Sequence, residues 1–393
     1  MTLGFPIVLS NGPPPTGFQA VAAAGVTMLR TGRGDWSASK LDVQLAEERA
    51  RLDEAAAHGL RCWVWLGSLT NLAPGADDGT LRRVVETLRS HPALGAWKGH
   101  DEPRNPFDAA MSVPPDNLAR GHRVVAALDP DHPLVIIQAP RGSSEGLVPY
   151  RPAFDIGGVD IYPVSYPPGS HSDRANHDIS VVGDVTQWIR EAAGTKPVWV
   201  TLQIAWSGVI PTKQKPNLVP RFPSNAELRF MAYQAITNGA RGLAFFGGHV
   251  TAVQSPQDAR AGWNWTFWRE SLEGLVRELS STALAPALVA PGSKLAVHTQ
   301  PHAPDIEIAT RQTAEFLYVF VVRRGGPTSP VVIAGLPATT KGGEVLFEYV
   351  QDPLPPPSVP ANQKFRSVAV TNGAFRDWFA PHDARVYRFK LLI

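Results

Sequence analysis

A (β/α)8 TIM barrel followed by a C-terminal β-sandwich domain, an α/β chain in two parts, is the fold class that this sequence predicts. Three observations carry it. Over residues 1–284 short β-rich runs alternate with amphipathic helical stretches, eight units that match a closed parallel barrel in count and size. No Gly-rich dinucleotide fingerprint is present, which disfavours a doubly wound open sheet. After Ala285 the helical spacing stops, and Pro286, Pro291 and Gly292 mark the passage to an all-β domain over residues 285–393.

The barrel elements follow in order. Phe5–Ser10 reads as the first strand, with a helix through Phe18–Ala24, and Gly25–Arg30 as the second. From Leu41 to His58 apolar residues recur at three and four, a helix that Gly59 ends. Arg61–Leu66 is the third strand, and a helix is expected near 80–90. Leu94–His100 is the fourth, followed by a helix near 116–128; Leu134–Gln138 and Phe154–Tyr162 are the fifth and sixth. A helix at Val181–Ala193 leads into Pro197–Gln203, the seventh. Ser224 with Glu227 three residues on is a capping-box signature for a helix to Asn238, and Gly242–Phe246 is the eighth strand. A last helix is expected over Phe267–Thr282. Seven short alternating runs between Leu295 and Leu392, separated by Gly- and Pro-rich turns, then predict the sandwich. The Pro355–Pro357 run reads as a stiff surface loop, because central strands exclude proline.

Composition narrows the function classes. Lys and Arg total 37 against 35 Asp and Glu, a net charge of +2, so no broad electrostatic grip on nucleic acid or an anionic membrane is expected. The single cysteine, Cys62, excludes an intrachain disulfide framework and a Cys-rich zinc module. No apolar run approaches the roughly 20 residues that cross a bilayer. Met1–Gly4 leads directly into a strand-like run, so a soluble chain is expected, either cytoplasmic or secreted with its leader removed. Oligomeric state leaves no mark on the sequence.

In such a barrel the reacting groups gather at the carboxyl ends of the strands. That rule selects Arg30, Arg33, Asp35 and Trp36 after strand two, Trp65 after strand three, and Lys98, His100, Asp101 and Glu102 after strand four. Strand five offers Gln138, strand six Asp160 and Tyr162, strand seven Gln203 and Trp206, and strand eight Phe246 and His249. Carboxylates, an amide, a guanidinium and indoles on one rim suit the holding and cleaving of a polyhydroxylated ring. Trp263 and Trp265, in the indole-rich loop after strand eight, are further candidates for stacking on sugar faces. No spaced His-Glu or Cys pattern points to a metal, and no Gly-rich phosphate cradle is present; no cofactor is expected.

The sharpest element is Trp97-Lys98-Gly99-His100-Asp101-Glu102-Pro103. With Lys196–Thr201 and Asn238–Gly242, it resembles the (β/α)8 glycoside hydrolase superfamily, clan A in particular; no numbered family is assigned. The resemblance implies a carbohydrate substrate and an acid/base role for Glu102 at the end of strand four, with Arg30 supporting the carboxylates. The resemblance also implies a nucleophilic glutamate on strand seven, and here the chain departs: Thr201-Leu202-Gln203-Ile204 holds no carboxylate. The expectation is a glycosidase with Glu102 as general acid and Asp160, or Asp101, as its partner, inverting if Asp160 or Asp35 activates a water and retaining if Asp160 is itself the nucleophile. Two alternatives stand beside it. One is a substrate-assisted mechanism in which Asp101 orients a 2-acetamido group, as the adjacent Asp-Glu pair resembles family 20 hexosaminidases. The other is a carbohydrate-binding protein that has lost its strand-seven nucleophile.

Overall fold

The computed structural model describes residues 4–391 except 106–107, 170, 215, 252–254 and 350–363. The Pro355–Pro357 run therefore lies outside the described residues. Eight parallel strands close into a barrel in sequence order: β1 (Ile7–Leu9), β2 (Met28–Gly32), β3 (Arg61–Trp65), β4 (Leu94–Asp101), β5 (Leu134–Gln138), β6 (Ile156–Ile161), β7 (Val198–Gln203) and β8 (Leu243–Phe246). Closure comes from the pairing of β1 with β8, Ile7 opposite Leu243.

Period-two alternation explains why these runs are strands. On β3, Cys62 and Val64 face the helical layer while Trp63 faces the barrel interior. The interior layer (Val8, Met28, Trp63, Ala96, Val135, Trp199 among others) fills the barrel as a packed plug. Trp63 and Trp199 meet edge to face there at 5.6 Å.

Helices α1 (Phe18–Ala24), α2 (Leu41–Ala57), α3 (Gly79–Leu88), α4 (Pro115–Leu128), α5 (Val181–Ala193) and α6 (Asn225–Thr237) follow six of the strands. The capping box at α6 is formed, with Ser224 Oγ accepting from the Glu227 amide at 3.2 Å. Two connections differ from the sequence expectation. Between β5 and β6 the chain forms only 3-10 turns over Glu145–Ala153, because Pro149 and Pro152 withhold the amide donors that an α-helix needs. The last barrel helix is interrupted by a π-turn at Trp268–Leu272 before Glu273–Ser280. No helix among the described residues is long and apolar enough to cross a membrane.

The C-terminal region is two antiparallel sheets. One has the order β10 (Ile306–Gln312), β11 (Phe316–Arg323), β16 (Ala384–Lys390), β13 (Gly342–Tyr349), β14 (Phe365–Ala369). The other runs β15 (Ala374–Phe379), β12 (Ser329–Ala334), β9 (His298–Thr299). Strand β15 is absent from the sequence-based strand assignment, although Phe375 and Phe379 mark its buried face. Strand β11 is apolar on both faces. Leu317, Val319 and Val321 enter the core between the sheets, and Tyr318, Phe320 and Val322 join the core around the barrel. The sandwich is thus seated on the barrel through shared packing.

Candidate active site

The carboxyl ends of the barrel strands surround an open cavity of about 800 Å³. Its shape near β4 comes from an irregularity in register. Lys98 pairs with Val135 and Asp101 with Ile137, so three residues on β4 span two on β5. This bulge resets the alternation: Lys98 and Asp101 both line the cavity, and His100 does not. Gly99 permits it, since a Cβ there would stand 3.0 Å from the Ile136 side chain. Trp65 braces the bulge by donating its indole N–H to the Gly99 carbonyl at 3.0 Å. The chain then turns through Glu102 in the left-handed region, φ +44°, with its amide bonded to the Ile137 carbonyl at 2.9 Å. A glutamate in that conformation is strained, and strain of this kind concentrates at functional sites.

Three carboxylates line the cavity in three different environments. Asp101 is half exposed and its Oδ1 accepts from Lys98 Nζ. Glu102 is exposed at the rim. Asp160, on β6, is buried; desolvation pushes its carboxyl well above the ordinary range, and the nearby charges of Glu102 and Asp101 add to the effect. One oxygen each of Glu102 and Asp160 and one ring nitrogen of His171 lie within 4.8 Å of one another. Asp160 Oδ1 has no hydrogen-bond partner among the described residues.

His171 comes from the loop between β6 and α5 and is buried. Its Nδ1 accepts from the Tyr162 amide at 3.3 Å, which leaves the ring proton on Nε2, 3.9 Å from Asp160 Oδ2. Burial first, and the charge of Arg141 second, lower its pKa to about 3, so the ring is neutral at physiological pH. Glu102, Asp160 and His171 are therefore the donors that would offer a cation a seat. A cation would need the Nε2 lone pair, and the Tyr162 amide sets the opposite tautomer. The trio is better suited to holding protons than a metal.

Two cations sit on the cavity floor. Lys98 is 4% exposed, with Nζ 4.6 Å from the Trp65 ring centroid and 5.7 Å from that of Trp63. Burial lowers its pKa, an effect that Asp101 opposes. Arg30 donates from Nε to the Ser10 carbonyl at 2.6 Å and lies over Trp65 at 5.1 Å; burial lowers its pKa as well.

Aromatic rings form one wall. Tyr162 stacks on Phe246 at 5.4 Å, Trp206 meets the His171 ring at 4.8 Å, and His249 packs against Phe246 at 5.6 Å. Of the residues selected from the sequence, Arg30, Trp65, Lys98, Asp101, Glu102, Asp160, Tyr162, Trp206, Phe246 and His249 are brought together here.

The others are placed elsewhere. Asp35 is turned to solvent beside Arg33. Trp36 is buried and donates to the Trp65 carbonyl at 2.9 Å. His100 Nδ1 donates to the Asp101 carbonyl at 2.9 Å, outside the cavity. Gln138 shares the outward parity of Ile136 and is buried in the layer behind the strand. Gln203 points inward but clamps Val164, accepting from its amide at 2.7 Å and donating to its carbonyl at 2.9 Å. Trp263 is buried with its indole N–H on the Asn11 carbonyl at 2.6 Å, and Trp265 packs on it at 4.7 Å. Neither presents a face to the cavity. Trp63, Arg141 and His171 are lining residues that the sequence-based selection leaves out.

No family model matches the chain, and no curated protein sequence does. Solved structures do match in shape. A family 5 glycoside hydrolase from Bacteroides vulgatus superposes with a TM-score of 0.65 at 12% identity, covering 98% of this chain and 89% of its own. A family 30 endoxylanase from Clostridium papyrosolvens matches with a TM-score of 0.53 at 11% identity over 99% and 96% of the two chains. An α-amylase from Geobacillus thermoleovorans, solved with acarbose, matches at 0.56 and 11% identity over 100% and 99%. At such identities the likeness is one of fold: this chain shares the closed eight-stranded barrel of these glycoside hydrolases.

Proposed function

We propose that this chain is a glycoside hydrolase whose working pair is Glu102 and Asp160. The observation that carries the reading is their juxtaposition: two carboxyl groups with oxygens within 4.8 Å, one exposed and one buried, in an aromatic-walled cavity at the barrel mouth. A separation of about 5 Å suits retention of anomeric configuration, whereas inversion needs roughly 6.5–9.5 Å to admit a water. The motif resemblance assigns the proton to Glu102. The difference in burial favours the reverse division, with Asp160 as the protonated acid and Glu102 as the nucleophile.

On this reading Asp160 gives its proton to the leaving oxygen while a Glu102 oxygen bonds to the anomeric carbon. The Asp160 carboxylate then takes a proton from water, which displaces the sugar from Glu102. The neutral His171 ring lies 3.9 Å from Asp160, and Lys98 occupies Asp101, which keeps the third carboxylate out of the proton exchange. The aromatic wall supplies ring faces for sugar C–H groups.

A panel of aryl glycosides tests this. Glu102→Ala and Asp160→Asn are each expected to lower turnover by at least about 10²-fold while circular dichroism stays native. Asp160→Asn should recover on substrates with strongly acidic phenol leaving groups, which need no protonation; Glu102→Ala should recover with added azide instead. Unchanged turnover in both variants would sink the assignment. Gln203 in place of a strand-seven carboxylate favours a second reading, a sugar-binding protein without hydrolysis. Binding with no turnover across the panel would select it.

A further inference from the structure

The Arg30 guanidinium is fixed at one edge and one face and unmatched at its fork. Its Nε is bonded to the Ser10 carbonyl and its plane rests on Trp65, yet neither terminal nitrogen has a hydrogen-bond or ion-pair partner among the described residues. No carboxylate bonds to it: Asp101 acts on it through charge alone while its Oδ1 is held by Lys98, and Asp160 makes no ion pair with it. The strand-seven position is Gln203, turned away onto Val164. A largely buried guanidinium whose terminal N–H groups meet no acceptor is costly, so a fork left open into a cavity is a receptor more readily than a structural brace.

A second cation repeats the pattern at the rim. Arg141, on the loop after β5, lines the same cavity, and its backbone carbonyl is held by Arg104 Nη1 at 3.0 Å. Its own guanidinium has no hydrogen-bond or ion-pair partner among the described residues. Arg30, Lys98 and Arg141 thus line one cavity, and only Lys98 among them has a carboxylate partner within hydrogen-bond distance among the described residues.

We propose that the substrate brings the missing acceptor: the cavity takes a uronide, a glycoside whose sugar carries a carboxylate, with that carboxylate seated on the Arg30 fork and Arg141 assisting at the rim. This rests on the hydrolase reading above and names the substrate class of the same site. A planar carboxylate meets a guanidinium with two parallel hydrogen bonds, a match that a sugar hydroxyl cannot reproduce.

The test compares aryl glucuronides and galacturonides, in both anomers, with the corresponding glucosides and galactosides. The best uronide is expected to exceed its neutral counterpart by at least about tenfold in kcat/KM, as charge-assisted hydrogen bonds allow. Arg30→Lys should cut that ratio by removing the fork while keeping the charge, and exposed Arg141→Gln should lower it severalfold. Binding of free glucuronate against glucose to the wild-type chain, followed by tryptophan fluorescence, supplies a readout independent of turnover. Equal turnover of uronides and neutral glycosides overturns the inference and leaves the hydrolase reading standing. Selective uronate binding without hydrolysis of any glycoside supports the inference and overturns the hydrolase reading. Preference for a sulfated glycoside over the uronide, or uronate binding no tighter than glucose, also overturns it.

Discussion

Gln203 and Val164 are joined by two hydrogen bonds, so that the side chain at the end of β7 pairs with the loop after β6 as another strand would. Gln203 is fully buried, and both ends of its amide are used. The end of β7, where the motif resemblance implies a nucleophile, is therefore a structural brace in this chain. Gln203→Glu is expected to destabilise the protein by about 1–3 kcal/mol, because the Val164 carbonyl loses its donor and a carboxylate enters a buried site. Glycosidase activity should not rise. Denaturant midpoints and turnover of the two proteins check this; a stable variant with higher activity would contradict the brace.

Asp160 makes a second prediction through pH. Its folded-state pKa is raised, so the folded chain keeps a proton that the unfolded chain has already released. The stability tied to this group is complete below the ordinary carboxylate pKa near 4 and is lost as pH rises toward the folded value. Asp160→Asn cannot ionise. It should therefore be more stable than the parent at pH 7, and its advantage should shrink as pH falls toward 4. Urea titrations at a series of pH values measure the difference directly. An advantage that grows toward acid pH would show that Asp160 is stabilised as a carboxylate after all.

The barrel was legible from period and punctuation, because eight β-rich runs alternating with capped helices admit few other closures. The limits of that reading lie in two kinds of geometry. The strand-end rule selects His100 and Asp101 together, and only the bulge at Gly99 decides that Asp101 and not His100 enters the cavity. Likewise Gln138 stands at a strand end yet faces outward with Ile136, a matter of parity that a single strand read alone does not reveal. His171 and Arg141 lie on loops, where position in space is set by partners such as the Tyr162 amide and Arg104 rather than by any local pattern. The tryptophan surplus misled for a related reason. Trp263 is in a loop, but the loop is folded over the barrel and its indole is tied to Asn11. Only Trp65 and Trp206 among the selected indoles line the cavity.

Glu102 bears its strain in the backbone, and this separates stability from activity. Its φ of +44° is a conformation that glycine adopts freely and that costs other residues about 1–2 kcal/mol. Glu102→Gly is expected to fold at least as stably as the parent, gaining up to about 1 kcal/mol, while hydrolysis falls by at least about 10²-fold. Thermal melts beside activity assays give both numbers. A variant that lost stability would mean that the carboxylate's contacts, not its backbone, dominate at this position.

The sandwich and the barrel make a last prediction, because their cores are continuous. Phe230 and Tyr233 on α6 are buried in the same cluster as Tyr318, Phe320 and Leu346 of the sandwich. Polar contacts cross the same seam: Arg229 Nη1 donates to the Ala384 carbonyl at 2.6 Å, and Arg324 bridges Asp184 at 2.7 Å and Glu307 at 2.9 Å. Removing residues 291–393 would uncover α6 and strip Arg229 of one acceptor. Uncovering two fully buried aromatic side chains alone forfeits roughly 3–6 kcal/mol, a large share of the 5–15 kcal/mol by which a folded chain is stable. The truncated barrel is therefore expected to be poorly soluble and to bind the dye ANS, whereas the full chain should not. A monomeric truncation with native circular dichroism and a cooperative melt would mean that the barrel folds without its partner and that the seam is an ordinary domain contact.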